Sequence, residues 1–226
     1  MNTYNNLFLN DKWKNLIQSG VKSFNLNFSD YQLNLFATHA ANLYMWNKTI
    51  NLTSIKDPEE IALKHFIDSV ALITHIKKQA RVLDIGSGGG FPGFCLKVAN
   101  PDLDIVMIDS AKKKVNFLKD LIRTTNLKNI EAKHVRAEDL AKDDLYKGKF
   151  DVVISRAFSR LDKFVKLSKP FLNENGTILA MKGIDVLEEV NEVKGIKEVK
   201  ESNMNVESYT YTLPFKNIER SIVKIS

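Results

Sequence analysis

The spacing of apolar residues changes character near residue 78. Before it, apolar positions recur at helical intervals; after it, short apolar runs alternate with helical stretches. In the first part, Leu7, Phe8, Trp13, Leu16 and Ile17 suit a short amphipathic helix within residues 1–28, with Gly20 as its stop. Ser29-Asp-Tyr-Gln32 has the form of a capping box, and Leu33, Phe36, Ala40, Leu43 and Tyr44 follow on one face, which predicts a helix near 30–47. Residues 47–54 are polar and turn-like. Asp57-Pro-Glu-Glu60 then supplies an N-cap, an N1 proline and acidic residues for a helix carrying Ile61, Leu63, His65 and Phe66, and a further helical segment is expected from Ile67 to Ile76.

From Arg81 the pattern predicts strands at Val82–Ile85, Ile105–Ile108, Ile130–Val135, Phe150–Ile154 and Thr177–Met181. Helices separate them: one over Phe94–Ala99, one capped by Ser110 with Val115, Phe117, Leu118, Leu121 and Ile122 inward, and one closing near Pro170. A helix over Leu187–Val199 and an antiparallel pair, Val206–Leu213 and Ser221–Ile225 across a Pro214 turn, complete the chain. Alternation of this kind gives a mostly parallel seven-stranded sheet with covering helices. The expected organisation is a helical extension or cap over residues 1–78 and a Rossmann-like α/β domain over 79–226.

The junction between first strand and first helix reads Asp84-Ile-Gly-Ser-Gly-Gly-Gly-Phe-Pro-Gly93. Gly86, Gly88, Gly89 and Gly90 permit positive φ and close approach of a ligand to backbone, and Pro92 suits the first turn of a helix. Strand, glycine turn and helix is a nucleotide-site arrangement. A carboxylate at Asp84 would oppose the pyrophosphate of a dinucleotide but complements the sulfonium and ammonium of S-adenosylmethionine. Asp109 ends the second strand 23 positions after Gly86, where an acid accepts hydrogen bonds from ribose hydroxyls. After the third strand, Ala137 and Glu138 are placed to hydrogen-bond the adenine edge. Each has a plainer reading, an acidic helix cap for Asp109 and a first-turn helix residue for Glu138.

Composition adds less. A single cysteine, Cys95, and no signal-like or membrane-spanning stretch suit a cytoplasmic protein, and a monomer is expected. The net charge is +6, but residues 110–170 hold 16 Lys/Arg against 8 Asp/Glu, so the basic surplus lies just downstream of the glycine turn. Lys112, Lys113 and Lys114 crowd a helix N-terminus against the macrodipole, which points to phosphate contact or to a solvated face. His39, His65, His75 and His134 are scattered without metal-ligand spacing, so no metal is expected. His65 and Asp68, three apart, suit a substrate-facing pair or a structural one.

Residues from 40 onward resemble the bacterial small-subunit ribosomal RNA guanine-N7 methyltransferases, the glucose-inhibited division protein B family. The resemblance is carried by Asn51-Leu-Thr, Lys64-His-Phe-Ile-Asp-Ser69, Leu83 to Gly93, Asp109-Ser110, Arg136-Ala-Glu138, Ser155-Arg-Ala-Phe158 and Met181-Lys-Gly183. It implies a class I S-adenosylmethionine-dependent methyltransferase fold. It also implies cofactor contacts from Gly86, Phe91, Ala137, Glu138 and Arg156, with Asp109 at the ribose, and 16S ribosomal RNA or the small-subunit particle as substrate. Phe91 stands where many relatives have Leu and is expected to keep an apolar wall.

Cys95 lies in the first sheet helix, away from where a cysteine nucleophile for pyrimidine-carbon methylation is needed. Guanine N7 offers a lone pair and no proton, so in-line transfer there needs alignment rather than a general base, and no acid or base is assigned. Arg156 is expected to act on the cofactor or on guanine atoms other than N7, Phe158 to pack against the target base or the core, and Lys182 to meet phosphate or cap its own loop. An NAD-dependent oxidoreductase and a non-catalytic RNA-binding module with a vestigial pocket remain as alternatives.

Overall fold

The computed structural model describes residues 5–226 apart from Ala157 and Ser159. These residues build one seven-stranded sheet: β1 (Arg81–Ile85), β2 (Asp104–Asp109), β3 (Ile130–His134), β4 (Phe150–Arg156), β5 (Leu172–Lys182), β6 (Val206–Leu213) and β7 (Ile218–Ile225). Their order is β3-β2-β1-β4-β5-β7-β6. The first five run parallel, and β7 lies antiparallel between β5 and β6. Strand order reverses between β1 and β4, and ligands of such sheets bind in the crevice outside the carboxyl ends at that reversal.

Period-two alternation along β1 divides its side chains between two cores. Val82 joins Phe36, Leu43, Phe66, Phe94 and Leu118 on one face, while Leu83 and Ile85 join Phe164, Val165 and Val190 on the other. On the first face, the helix Asp30–Trp46 and the segment 58–75 pack with the sheet's own helices Gly93–Ala99 and Lys112–Thr125 into one continuous apolar core. The second face is covered by helices Leu161–Ser168 and Leu187–Gly195.

Local chemistry explains the helix boundaries. Ser29 and Gln32 form the expected capping box, and Asp57 caps the next helix through Glu60 N–H at 2.8 Å. Gly20 does not stop its helix, which runs Asp11–Val21. A Cβ there would lie 2.3 Å from the Ile67 side chain, so this glycine permits close packing of two segments. The segment after Asp57 is not two regular helices: Pro58–Ile61 widens into a π-type stretch, Ala62–Ile67, and tightens to a 3-10 turn at Ala71–His75. Ser110 does not cap the Lys112–Thr125 helix. Ala111 holds that position and donates its N–H to Asp109 Oδ1 at 2.8 Å. The helix expected over Leu187–Val199 breaks at Gly195, where Ile196 is extended, and resumes as Lys197–Lys200. β5 begins five residues earlier than its pattern suggested, at Leu172 rather than Thr177.

Candidate active site

The glycine turn is held from below and open above. Gly86 and Ser87 N–H groups both donate to the Ile108 carbonyl (2.9 and 3.1 Å), and the Ser87 carbonyl accepts from Gly90 and Phe91. Gly86, Gly88 and Gly90 have φ of 78°, 54° and 89°, conformations that favour glycine. Gly89, expected among them, does not share that region. A Cβ built on Gly86 meets nothing within 4 Å, and one on Gly88 only the Gly86 carbonyl at 3.8 Å, which leaves room for a ligand against backbone.

Two acids brace this turn. Asp84, fully buried, accepts the Gly93 N–H at 3.0 Å through Oδ2 and so fixes the start of the following helix, with Pro92 as its N-cap rather than in its first turn. Its Oδ1 is buried without a hydrogen-bond partner, and burial pushes the carboxyl up to about 7. Asp109 accepts from Gly88 N–H at 3.0 Å and from Ala111 N–H at 2.8 Å, one bond on each oxygen. Each oxygen retains a further lone pair.

His39 reaches the turn from the Asp30–Trp46 helix. Its Nε2–H donates to the Gly89 carbonyl at 2.7 Å, and its ring stacks on Phe91 with centroids 4.7 Å apart. Complete burial lowers its pKa to about 3, so it is a neutral donor at any physiological pH. Sequence reasoning passed over His39; its only signal was its place on the buried face of that helix beside Phe36 and Leu43. The Phe91 ring also stacks on His65 at 4.7 Å and meets Phe66 edge-on. It is therefore packed into the helical segment, while its backbone stays with the turn.

Beyond β4, Ser155 Oγ donates to the Ile85 carbonyl at 2.7 Å and ties the ends of β1 and β4 together. Arg156 then reaches across to the helical segment. Its Nη1 donates to the Lys64 carbonyl at 2.7 Å, its Nη2 to His65 Nδ1 at 3.0 Å, and its guanidinium lies 3.8 Å from Asp68 Oδ2 and 4.9 Å from the Phe91 centroid. These bonds fix the His65 tautomer: Nδ1 accepts, and Nε2–H donates to Thr53 Oγ1 at 2.7 Å. Burial and then the Arg156 charge lower His65 to about 3. Asp68 accepts from Tyr211 Oη on β6 at 2.7 Å; burial raises its carboxyl despite the nearby Arg156. His65 and Asp68 thus meet through Arg156 and not directly. Arg156, expected at the cofactor or substrate, uses two of its five donors to join sheet and helices while still lining the cavity, and Thr53 and Tyr211 complete a network the sequence did not reveal.

Lys64, His65, Asp68, Arg156, Phe158 and Lys182 line one cavity of about 580 Å³ at the ends of β4 and β5. Phe158 is half-buried, its ring 5.3 Å from Phe164. Ala157, between it and Arg156, lies outside the described residues. The Lys182 ammonium pairs with Glu189 at 2.7 Å and donates to the Phe158 carbonyl at 3.1 Å. Ala137 is buried and Glu138 exposed at the start of a short helix, Ala137–Leu140, beyond β3. Lys112 and Lys113 are exposed and Lys114 half-exposed at the rim beyond Asp109.

A family model described as rRNA small subunit methyltransferase G matches residues 32–215. The chain belongs to that family. It is 43% identical over 187 residues to the ribosomal RNA small subunit methyltransferase G of Geotalea uraniireducens, covering 83% of this chain and 84% of that one. To the protein of the same name from Geobacter sp. strain M21 it is 41% identical over 212 residues, covering 94% and 96%. A solved structure of a SAM-dependent methyltransferase from Aquifex aeolicus superposes with a TM-score of 0.55 at 18% identity, over 77% of this chain and 96% of that one. M. jannaschii TYW2 in complex with AdoMet gives 0.55 at 14%, over 70% and 73%. Family members are S-adenosylmethionine-dependent methyltransferases of ribosomal RNA, and this chain is one of them. Its residues fit that cofactor: the turn is open above Gly86 and Gly88, and Asp84 keeps an unpartnered buried oxygen where a cationic ligand is expected.

Proposed function

We propose that the protein methylates N7 of a guanine in small-subunit ribosomal RNA by direct in-line transfer. The observation that carries this reading is the state of the two buried acid–base side chains in the cavity beyond β4. His65 has both ring nitrogens engaged and a pKa near 3, and Asp68 is held between Tyr211 and Arg156. Neither is poised to remove a proton, and guanine N7 has none to remove. Its lone pair would take the methyl group from the donor's sulfonium, the carbon–sulfur bond breaking with its electrons going to sulfur, and the base would become the cationic N7-methylguanine.

Bound against the glycine turn, S-adenosylmethionine supplies an electrophilic methyl group on a sulfonium. The backbone of Gly86, Gly88, Gly90 and Phe91 would hold it. Asp109 has lone pairs left for the ribose hydroxyls, the N–H groups of Ala137 and Glu138 serve the adenine edge, and Asp84 supplies negative charge. Arg156 acts as a positioning residue, holding His65 and Asp68 in the wall that aligns the base, and Phe158 supplies an apolar surface beside it.

Borohydride–aniline treatment cleaves RNA at N7-methylguanosine. Unmodified small-subunit RNA, naked and as particle, incubated with enzyme and S-adenosylmethionine should give one new enzyme-dependent stop in primer extension. Methyl incorporation without that stop would move the acceptor to another atom.

A further inference from the structure

The polar loop between the Asp30–Trp46 helix and Asp57 forms a second concavity, a cleft of about 850 Å³ lined by Tyr44, Lys48, Asn51, Thr53, Ser54 and Lys56. Among the described residues, no acidic side chain lines it. The loop is braced from within: Asn47 Nδ2 donates to the Thr53 carbonyl at 2.8 Å, and Asn47 Oδ1 accepts from Leu52 and Thr53 N–H at 2.7 and 2.9 Å. Thr53 Oγ1 also accepts from Ile55 N–H at 3.0 Å. With its backbone so fixed, the loop presents Lys48, Asn51, Ser54 and Lys56 exposed to solvent. Among the described residues, Asn51, Ser54 and Lys56 make no hydrogen bond or ion pair. A rigid loop with polar groups held outward loses little entropy on binding.

This cleft adjoins the cavity beyond β4. Ser54 and Lys56 line the cleft while Ile55, between them, lines the cavity. Thr53 is common to both structures, since it lines the cleft and takes the hydrogen bond from His65. A chain molecule lying in the cleft would therefore have its next residues at the cavity mouth. Two ammonium groups suit phosphates, Asn51 and Ser54 suit base edges and 2′-hydroxyls, and the half-buried Tyr44 ring, packed against Phe8 at 5.8 Å, adds an aromatic group to the lining.

We propose that this cleft grips the single-stranded RNA next to the target nucleotide, with phosphates on Lys48 and Lys56. The proposal rests on the ribosomal RNA reading above. It moves the grip away from Lys112–Lys114, which open the helix after β2.

The test compares the charge reversals Lys48→Glu/Lys56→Glu and Lys112→Glu/Lys113→Glu in the full-length protein. Filter binding to unmodified small-subunit ribosomal RNA is followed across a salt series. With ~0.7 in the slope of log K against log salt per single-strand phosphate contact, loss of two contacts should flatten the slope by about 1.4. The cleft double variant should also bind the RNA about tenfold more weakly at moderate salt, since each reversal repels the phosphate it formerly attracted. Its melting temperature and S-adenosylmethionine affinity should match the parent's. Unchanged RNA affinity and slope in that variant overturn the proposal, as does a loss confined to the Lys112/Lys113 variant. A parent that binds this RNA through the cleft but yields no aniline-dependent stop would defeat the N7 assignment and leave the cleft standing.

Discussion

Replacing Asp84 by Asn should separate the two tasks of the glycine turn. The carboxyl is fully buried, accepts the Gly93 N–H, and stands near 7 instead of its ordinary 3.8. A carboxyl raised in this way binds its proton more tightly folded than unfolded. Its stabilising contribution is complete below the unfolded value and is lost as pH rises through about 7. Some three pH units at ~1.4 kcal/mol each put a ceiling of about 4 kcal/mol on that loss. Asn keeps an oxygen for Gly93 and carries no charge, so urea unfolding between pH 4 and 8 should show the parent losing stability relative to Asp84→Asn by about 2–4 kcal/mol.

Cofactor binding should run the other way. A cationic ligand favours the ionised carboxylate, so at pH 6, where most of the parent's Asp84 is protonated, binding must expel close to one proton. Affinity should then rise with pH, by about tenfold per unit below 7, and level off above it. Calorimetry at pH 6 in two buffers of different ionisation enthalpy reads the proton directly. The ligand's own amine titrates alike with both proteins, so the difference between parent and Asp84→Asn isolates this one group. Equal proton release by the two proteins would refute the reasoning and leave Asp84 as a helix brace only.

Three further outcomes are expected. Tyr211→Phe removes the 2.7 Å bond to Asp68 without opening a cavity and should cost about 1.5–3 kcal/mol in urea unfolding; strict additivity with Asp68→Asn in a double-mutant cycle would mean that the pair does not interact. Gly93→Ala places a Cβ 2.7 Å from Asp84 Oδ2 and 3.1 Å from Met107 Cγ, so melting should report a loss of about 1–3 kcal/mol, and a wild-type melt would show that the turn yields easily. His39→Leu deletes the donor to the Gly89 carbonyl and should weaken S-adenosylmethionine binding by about tenfold at unchanged RNA affinity, with partial recovery in His39→Gln; equal affinity in all three proteins would make His39 a packing residue.

The sheet was legible because its signals are local. Val82–Ile85 and Ile105–Ile108 are apolar runs closed by glycine or aspartate, and Ser29–Gln32 states its cap in four residues. The mostly parallel sheet followed from the alternation of elements and its antiparallel finish from the last two apolar runs, whereas the order of the strands did not. What escaped were contacts between residues far apart in sequence. Nothing at Arg156 announces that its partners are Lys64, His65 and Asp68, some ninety positions earlier, or that Tyr211 closes the same group from β6. Single residues in regular elements were similarly silent: Gly20 looked like a stop because glycine usually is one, and its crowding against Ile67 is visible only once both segments are packed. Asp84 and Asp109 stood out as acids beside the glycine turn, but their bonds to Gly93, Gly88 and Ala111 did not.

The continuous core shared by the helical segment and one sheet face limits how this enzyme can be taken apart or recombined. Phe36, Leu43 and Phe66 cover Val82, Phe94 and Leu118, and His39 joins that layer to the glycine turn. A fragment starting near residue 79 would present a broad apolar wall to water and leave the Gly89 carbonyl without its donor. Transplanting the sheet alone onto another RNA-binding module should therefore give aggregation instead of a retargeted methyltransferase. The unit available for exchange is the whole layered body, and a change of RNA preference would have to arise by substitution along its rim.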